Sequence, residues 1–241
     1  MAVLAPTAPA LAGPRSLPRL AYPPVLAAMA ALAVALTATS GLYGYHRDEL
    51  YFRMLHPAWG YFDEPPLTPL LARAFNAISD EVWAMRVPAT LATVASLFVL
   101  VGITRELGGG RRAQTLCAWG YASAAIPLIM GHVLLTSTVD LPVWPAILLF
   151  AIRAQLRRQP RWWLAAGVAV GISTYNKLLV AVLLVALAAG VLLVGPRRLL
   201  WSRWVLVGAG LALLLAAPNL AYQASHGWPQ LSMGRALAAD N

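Results

Sequence analysis

Apolar residues run in long blocks along this chain, at about 25–41, 83–103, 113–131, 141–152 with its flanks, 162–175, 178–194 and 204–220. Short polar segments between them carry most of the charge. Blocks approaching ~20 residues have the length of a helix that crosses hydrocarbon, and the pattern predicts an all-α polytopic transmembrane bundle of about seven spans. The fourth and fifth blocks are short for a square crossing, so their boundaries are the least defined. The first block exceeds the ~7–15 residues of a secretory-signal core and further spans follow, so it reads as a span rather than a cleaved leader.

The longest polar gap, 43–81, holds two dense stretches. Tyr43-Gly44-Tyr45-His46-Arg47-Asp48-Glu49-Leu50-Tyr51-Phe52 comes first, then Trp59-Gly60-Tyr61-Phe62-Asp63-Glu64-Pro65-Pro66-Leu67. After the proline pair, Leu67, Leu70, Leu71, Ala74, Phe75 and Ile78 recur at steps of three and four. This predicts an amphipathic helix with Pro66 in its first turn, lying in the membrane interface or packed on the protein itself. The domain reading is a disordered cytoplasmic lead over 1–24, a transmembrane module over 25–220 containing the loop 43–81, and the start of an outer segment over 221–241 that reads as truncated.

Composition agrees with a membrane protein: 60% of residues are hydrophobic and 11% charged. The formal charge of +9 does not point to nucleic acid, because the arginines sit at the ends of apolar blocks instead of forming one patch with interleaved aromatics. Two thirds of the basic residues, from Arg15 and Arg19 to Arg197, Arg198 and Arg203, share the side of the N-terminus. The positive-inside bias therefore predicts a multi-pass protein of the plasma or inner membrane with a cytoplasmic N-terminus. All the acids except Glu106 fall at the other side, where chemistry is one explanation. The single Cys117 gives neither a disulfide framework nor a thiolate metal site.

Several residues carry candidate chemistry, each with a plainer alternative. Asp48 and Glu49 form an acidic pair beside the membrane, which as a bare pattern is commonly solvated surface. Asp140 lies where an apolar block restarts, as a functional carboxylate or as a helix N-cap. Lys177 stands between apolar blocks with no acid nearby in sequence, ready to meet a phosphate or simply snorkelling. Arg47 and Arg86 are weaker phosphate candidates, and Tyr45, His46 and His132 are candidate substrate contacts. The four histidines lack ligand spacing for zinc. Gly108-Gly109-Gly110 reads as a turn and not as a phosphate-cradling loop, so a soluble nucleotide-sugar donor has no support.

The first span followed by Arg47-Asp48-Glu49-Leu50-Tyr51, Trp59-Gly60-Tyr61 and Asp63-x-Pro65-Pro66-Leu67 resembles the membrane glycosyltransferases of the GT-C fold. Closest are the protein O-mannosyltransferase group and the bacterial transferases that add aminoarabinose to lipid A. Thr136-Ser137-Thr138-Val139-Asp140 and His226-Gly227-Trp228-Pro229 extend the likeness over nearly everything from Tyr43 onward. Members generally carry more spans and often an outer soluble domain, which implies a fragment or a short relative.

The resemblance implies transfer of a sugar from a polyprenyl-phosphate carrier to a lipid, glycan or protein acceptor on the non-cytoplasmic face, with inversion. A carboxylate must take the acceptor's proton and cations must stabilise the departing phosphate. By its match to the family's first-loop pair, Asp48 is the candidate base, with Glu49 facing elsewhere. Asp140 is the second carboxylate, for acceptor or for a divalent metal, and no cofactor is required by any motif. Lys177, Arg47 and Arg86 are the candidate phosphate contacts. The bilayer is a partner and nucleic acid is not. The rival reading is a non-catalytic transporter or scaffold that keeps the fold, for which ionisable groups belong at mid-membrane in broken helices.

Overall fold

A computed structural model describes residues 17–239, which fold as helices with no strand among them. In chain order these are α1 Tyr22–Thr39, α2 Arg47–Met54, α3 Leu67–Asn76, α4 Val82–Glu106, α5 Arg111–Ala122 and α6 Ala125–His132. They continue with α7 Thr136–Leu156, α8 Trp162–Ser173, α9 Val180–Val194, a 3₁₀ turn Arg197–Trp201, α10 Arg203–Ser225 and α11 Pro229–Ala239. The helices α1, α4, α7 and α10 are long and apolar enough to cross a membrane, and α8 and α9 are apolar but shorter.

Polar contacts define two ends of the bundle. At the basic end, Gln114 of α5 accepts from the Ala21 amide at 2.9 Å, and Arg105 donates to the Pro18 carbonyl at 2.8 Å. There Glu106, the one acid on this side among the described residues, accepts from Arg153 at 3.0 Å and Arg157 at 2.7 Å, the Arg157 bond tying α4 to the end of α7. At the opposite end, which carries α2, α3 and the connecting loop, Arg86 of α4 reaches the carbonyls after α1, and His132 of α6 meets Thr39.

Three elements differ from the sequence pattern. The block 113–131 is broken at Ser123-Ala124 into α5 and α6. Pro127 has no N–H for a bond to the Ser123 carbonyl and its ring would strike that carbonyl in a continuous helix. Residues 1–16 of the expected lead lie outside the described residues, but Pro18 to Ala21 are held by the bonds above and α1 starts at Tyr22 with prolines in its first turn. Beyond 220, α10 continues to Ser225 and α11 follows.

Small residues let α8 and α10 touch backbone to backbone. A Cβ on Gly167 would stand 2.1 Å from the Gly208 carbonyl oxygen, and one on Gly208 would stand 2.4 Å from that of Trp163. In lipid, such close approach replaces the hydrophobic drive that joins helices in water. It also fixes the height at which Tyr222, near the end of α10, meets the loop. The Tyr222 hydroxyl donates to the Gly60 carbonyl at 2.9 Å, and its ring fills the space where any side chain on residue 60 would stand.

Candidate active site

The loop 43–81 is a folded cap, and its entry is built on a buried ion pair. His46 caps α2: its Nδ1 accepts from the Asp48 amide, while its own amide donates to Glu49 at 2.8 Å. Glu49 is fully buried, accepts from the Leu134 amide at 3.2 Å, and takes two bonds from Arg86, at 3.2 Å and 3.1 Å. Arg86, equally buried, spends its remaining donors on the carbonyls of Ser40, Tyr43 and Gly44 and stacks on the Tyr43 ring. This network locks the exit of α1, the start of α2, α4 and the α6–α7 link together. A phosphate could reach Arg86 only by breaking it, so the sequence expectation of a substrate contact gives way to a structural one.

Two further expected contacts belong to the same frame. His132 bonds the Thr39 hydroxyl and the Leu128 carbonyl. The Tyr45 hydroxyl donates to the Asp80 carbonyl at 3.0 Å and accepts from Arg53, whose guanidinium lies over the Tyr45 ring. Both side chains hold helices in place with their polar atoms already partnered.

α3 is the amphipathic helix the spacing predicts, and it turns its large apolar residues outward. Thr68, Pro69 and Ala72 are buried against the protein, while Leu70 is exposed, as is Ile78 just past the helix end, at 72%. An exposed apolar stripe on a helix at the end of a membrane bundle suits the lipid interface. Its inner face is pinned by bonds across the chain. The Leu67 amide donates to the Tyr175 carbonyl at 2.8 Å, and the Thr68 hydroxyl to Asn176 Oδ1 at 2.7 Å. Asn176, fully buried in the α8–α9 link, then donates to the Thr136 carbonyl at 2.8 Å and to Asp140 Oδ1 at 3.0 Å. Asp140 is thus inside the opening turns of α7, held by an amide, and Leu135 takes the N-cap position.

The remaining groups gather beside this junction. Lys177 follows Asn176, is half-buried, and makes no side-chain hydrogen bond or ion pair among the described residues. Its charge acts on both Asp140 and Glu64. Glu64 is 6% exposed and its Oε1 has no partner. Burial first, then the neighbouring Asp63, push its carboxyl up to about 8, with Lys177 opposing and Asp48 adding slightly to the rise. Asp63 accepts from the Tyr51 hydroxyl at 2.8 Å, and the same burial and bond raise the Tyr51 phenol. Asp48 is 34% exposed at its side chain and pairs with the exposed Arg47 at 3.1 Å. Asp48, Glu64, Lys177 and Asp140 therefore form one electrostatically linked row at the loop end.

Glu64 and Asn176 were not among the residues singled out from the sequence. The signal for Glu64 was present: an ionisable residue directly before Pro65-Pro66, where the following ring forces extended backbone and the Tyr61 amide closes a turn onto its carbonyl at 2.9 Å. For a divalent ion the donor set is not assembled. No three His, Cys, Asp or Glu side chains among the described residues surround a common point, and the side chain bonded to Asp140 is the Asn176 amide.

A bundle of apolar helices with a folded interfacial cap and a row of carboxylates and one ammonium beneath it defines a membrane-embedded protein with a polar site at one end. The sequence profile of the dolichyl-phosphate-mannose-protein mannosyltransferase family matches residues 63–222, and the chain belongs to that family. It is a membrane glycosyltransferase of the mannosyltransferase kind. The match opens at Asp63 and takes in Glu64, Asp140, Asn176 and Lys177, with Asp48 and Glu49 ahead of it. No curated protein sequence and no solved structure matches the chain.

Proposed function

We propose that the loop end of the bundle lies on the non-cytoplasmic face and transfers a sugar from a polyprenyl-phosphate carrier to an acceptor hydroxyl, with inversion. The observation that supports this most is Lys177, a half-buried ammonium without a counter-ion bond, set between two carboxyl groups at the end where a lipid-held phosphate would arrive. Asp48, the carboxylate still open to an incoming hydroxyl, takes the acceptor proton as oxygen bonds to the anomeric carbon. The bond from that carbon to the phosphate oxygen breaks, and the leaving lipid phosphate keeps the electron pair, stabilised by Lys177. Asp140, oriented by Asn176, holds the acceptor.

Glu64 gives the site a pH dependence. Protonated near neutral pH, it leaves the Lys177 charge to the phosphate; ionised above about 8, it competes for that charge. Lys177→Ala is expected to raise the donor KM at least tenfold while expression and melting change little. In wild type the donor KM should climb as pH passes about 8, and Glu64→Gln should flatten that climb. The assay is transfer from radiolabelled polyprenyl-phosphate mannose by the full-length protein, and an unchanged KM in Lys177→Ala would move the phosphate to Arg47. The stability sign is parallel. A carboxyl whose folded pKa is raised favours the fold below its unfolded value of about 4.5 and loses that contribution as pH rises through about 8. Glu64→Gln should then melt higher than wild type at pH 9, relative to their difference at pH 5.

The face assignment has its own test. In a Cys117→Ser background, cysteines at Ser79 and Ser232 should react with an impermeant thiol reagent on intact cells, and one at Gln159 should not. Labelling at 159 from outside would reverse the orientation.

A further inference from the structure

At the basic end, away from the carboxylate row, an apolar cavity of about 510 Å³ opens between α7, α8, α9 and α10. Its floor is the glycine contact already described, Gly167 and Gly208 with Ala212. Leu187 and Val191 of α9 form the outer wall, and Leu199 and Leu200 of the 3₁₀ turn line its mouth. The loop-end half of α9 packs into the bundle through Val180, Leu183 and Leu187.

A hollow of this kind is dry and open to hydrocarbon, so a flexible apolar chain suits it better than water. What stands at its mouth selects the kind of chain. Leu199 and Leu200 lie between Arg198 and Arg203, and the lining residues Gln155 and Leu156 lead into Arg157 and Arg158. Arg157 is engaged by Glu106, whereas Arg158, Arg198 and Arg203 form no ion pair among the described residues. Trp201, 80% exposed, and Trp204, under the Arg203 guanidinium, mark this level as the boundary where headgroups sit. An apolar slot below and unpaired guanidinium groups above, at interface height, complement a lipid with an anionic headgroup.

We propose that this cavity binds one acyl chain of an anionic phospholipid from the leaflet at the basic end, with its phosphate on Arg198 and Arg203. The sugar donor is a poor fit here. A phosphate at this mouth is separated from Lys177 by the whole of α8, 12 residues or roughly 18 Å at ~1.5 Å per residue.

The test is lipid retention by the purified full-length protein, read by native mass spectrometry after incubation with equal amounts of dioleoylphosphatidylglycerol and dioleoylphosphatidylcholine. Two surface arginines predict a preference of about tenfold or more for the glycerol lipid, one molecule per chain. Arg198→Gln with Arg203→Gln should abolish the preference. Ala188→Phe, which fills the cavity, should abolish retention, and Ala186→Phe on the lipid-facing side of the same helix should not. Should Ala188→Phe fail to fold, the double arginine variant, altered only at exposed positions, still decides the matter. Equal retention of the two lipids, no retention of either, or one-for-one displacement by polyprenyl phosphate would overturn the proposal. The last result would give the cavity to the donor's tail.

Discussion

Asp48→Asn is expected to lower turnover by about 10²–10⁴-fold, equivalent to roughly 3–5 kcal/mol of barrier, with the protein still folded. The substitution keeps the shape and removes only the capacity to accept a proton. Asp48 stands at the second position of α2, partly exposed, and its one side-chain partner is the exposed Arg47. A carboxylate in that setting contributes little to stability, so expression and melting should match wild type. The measurement is turnover at saturating donor and acceptor in the full-length protein. Near-normal turnover would pass the base role to Asp140 or Glu64, to be separated by Asp140→Asn and Glu64→Gln under the same conditions.

The neighbouring position should behave in the opposite way. Glu49→Gln leaves the Arg86 guanidinium buried without a counter-charge, and breaking a buried pair from one side costs about 3–5 kcal/mol. The expected result is a sharply lowered unfolding midpoint and poor yield, with loss of activity that tracks loss of folded protein. Arg86→Met should do the same by stranding Glu49. The double variant Glu49→Leu, Arg86→Met should lose less than the two single losses added together, because it strands no buried charge, although the His46 and Leu134 amides and the Ser40, Tyr43 and Gly44 carbonyls lose their partners. Additive losses in the double variant would show that the two residues act separately. Adjacent in sequence, Asp48 and Glu49 face solvent and protein interior respectively.

That contrast marks how far the sequence could be read. The long apolar blocks, the amphipathic α3 and the placing of Asp48, Asp140 and Lys177 at the edges of apolar blocks are all visible as local pattern. Local pattern also separated Asp48 from Glu49, since adjacent helical positions point apart. It could not show that Glu49 lies inside, because its partner Arg86 is 37 residues away and its other donors come from the α6–α7 link. Arg86, read as a basic residue near the outer face, belongs to that same distant pair. Glu64 was passed over for a similar reason. Its carboxyl is raised by burial, which no local pattern reports, and the Lys177 charge that opposes the rise lies on a different helix connection. Seven blocks were legible, but the break at Ser123-Ala124 rests on one proline inside an otherwise continuous run.

The bond from Thr68 to Asn176 also bears on how the protein is made. The two residues are 108 positions apart, so the cap leaves the ribosome long before the link it must rest on exists. At ~5–20 residues per second the wait is on the order of 5–20 s. During that interval Thr68 and the Leu67 amide lack their native partners, and the outward stripe of Leu70 and Ile78 can hold α3 at the lipid surface. Assembly of the carboxylate row is therefore a late event in biogenesis. A nascent chain arrested before Tyr175 would carry Asp48, Glu64 and Asp140 and still have no site.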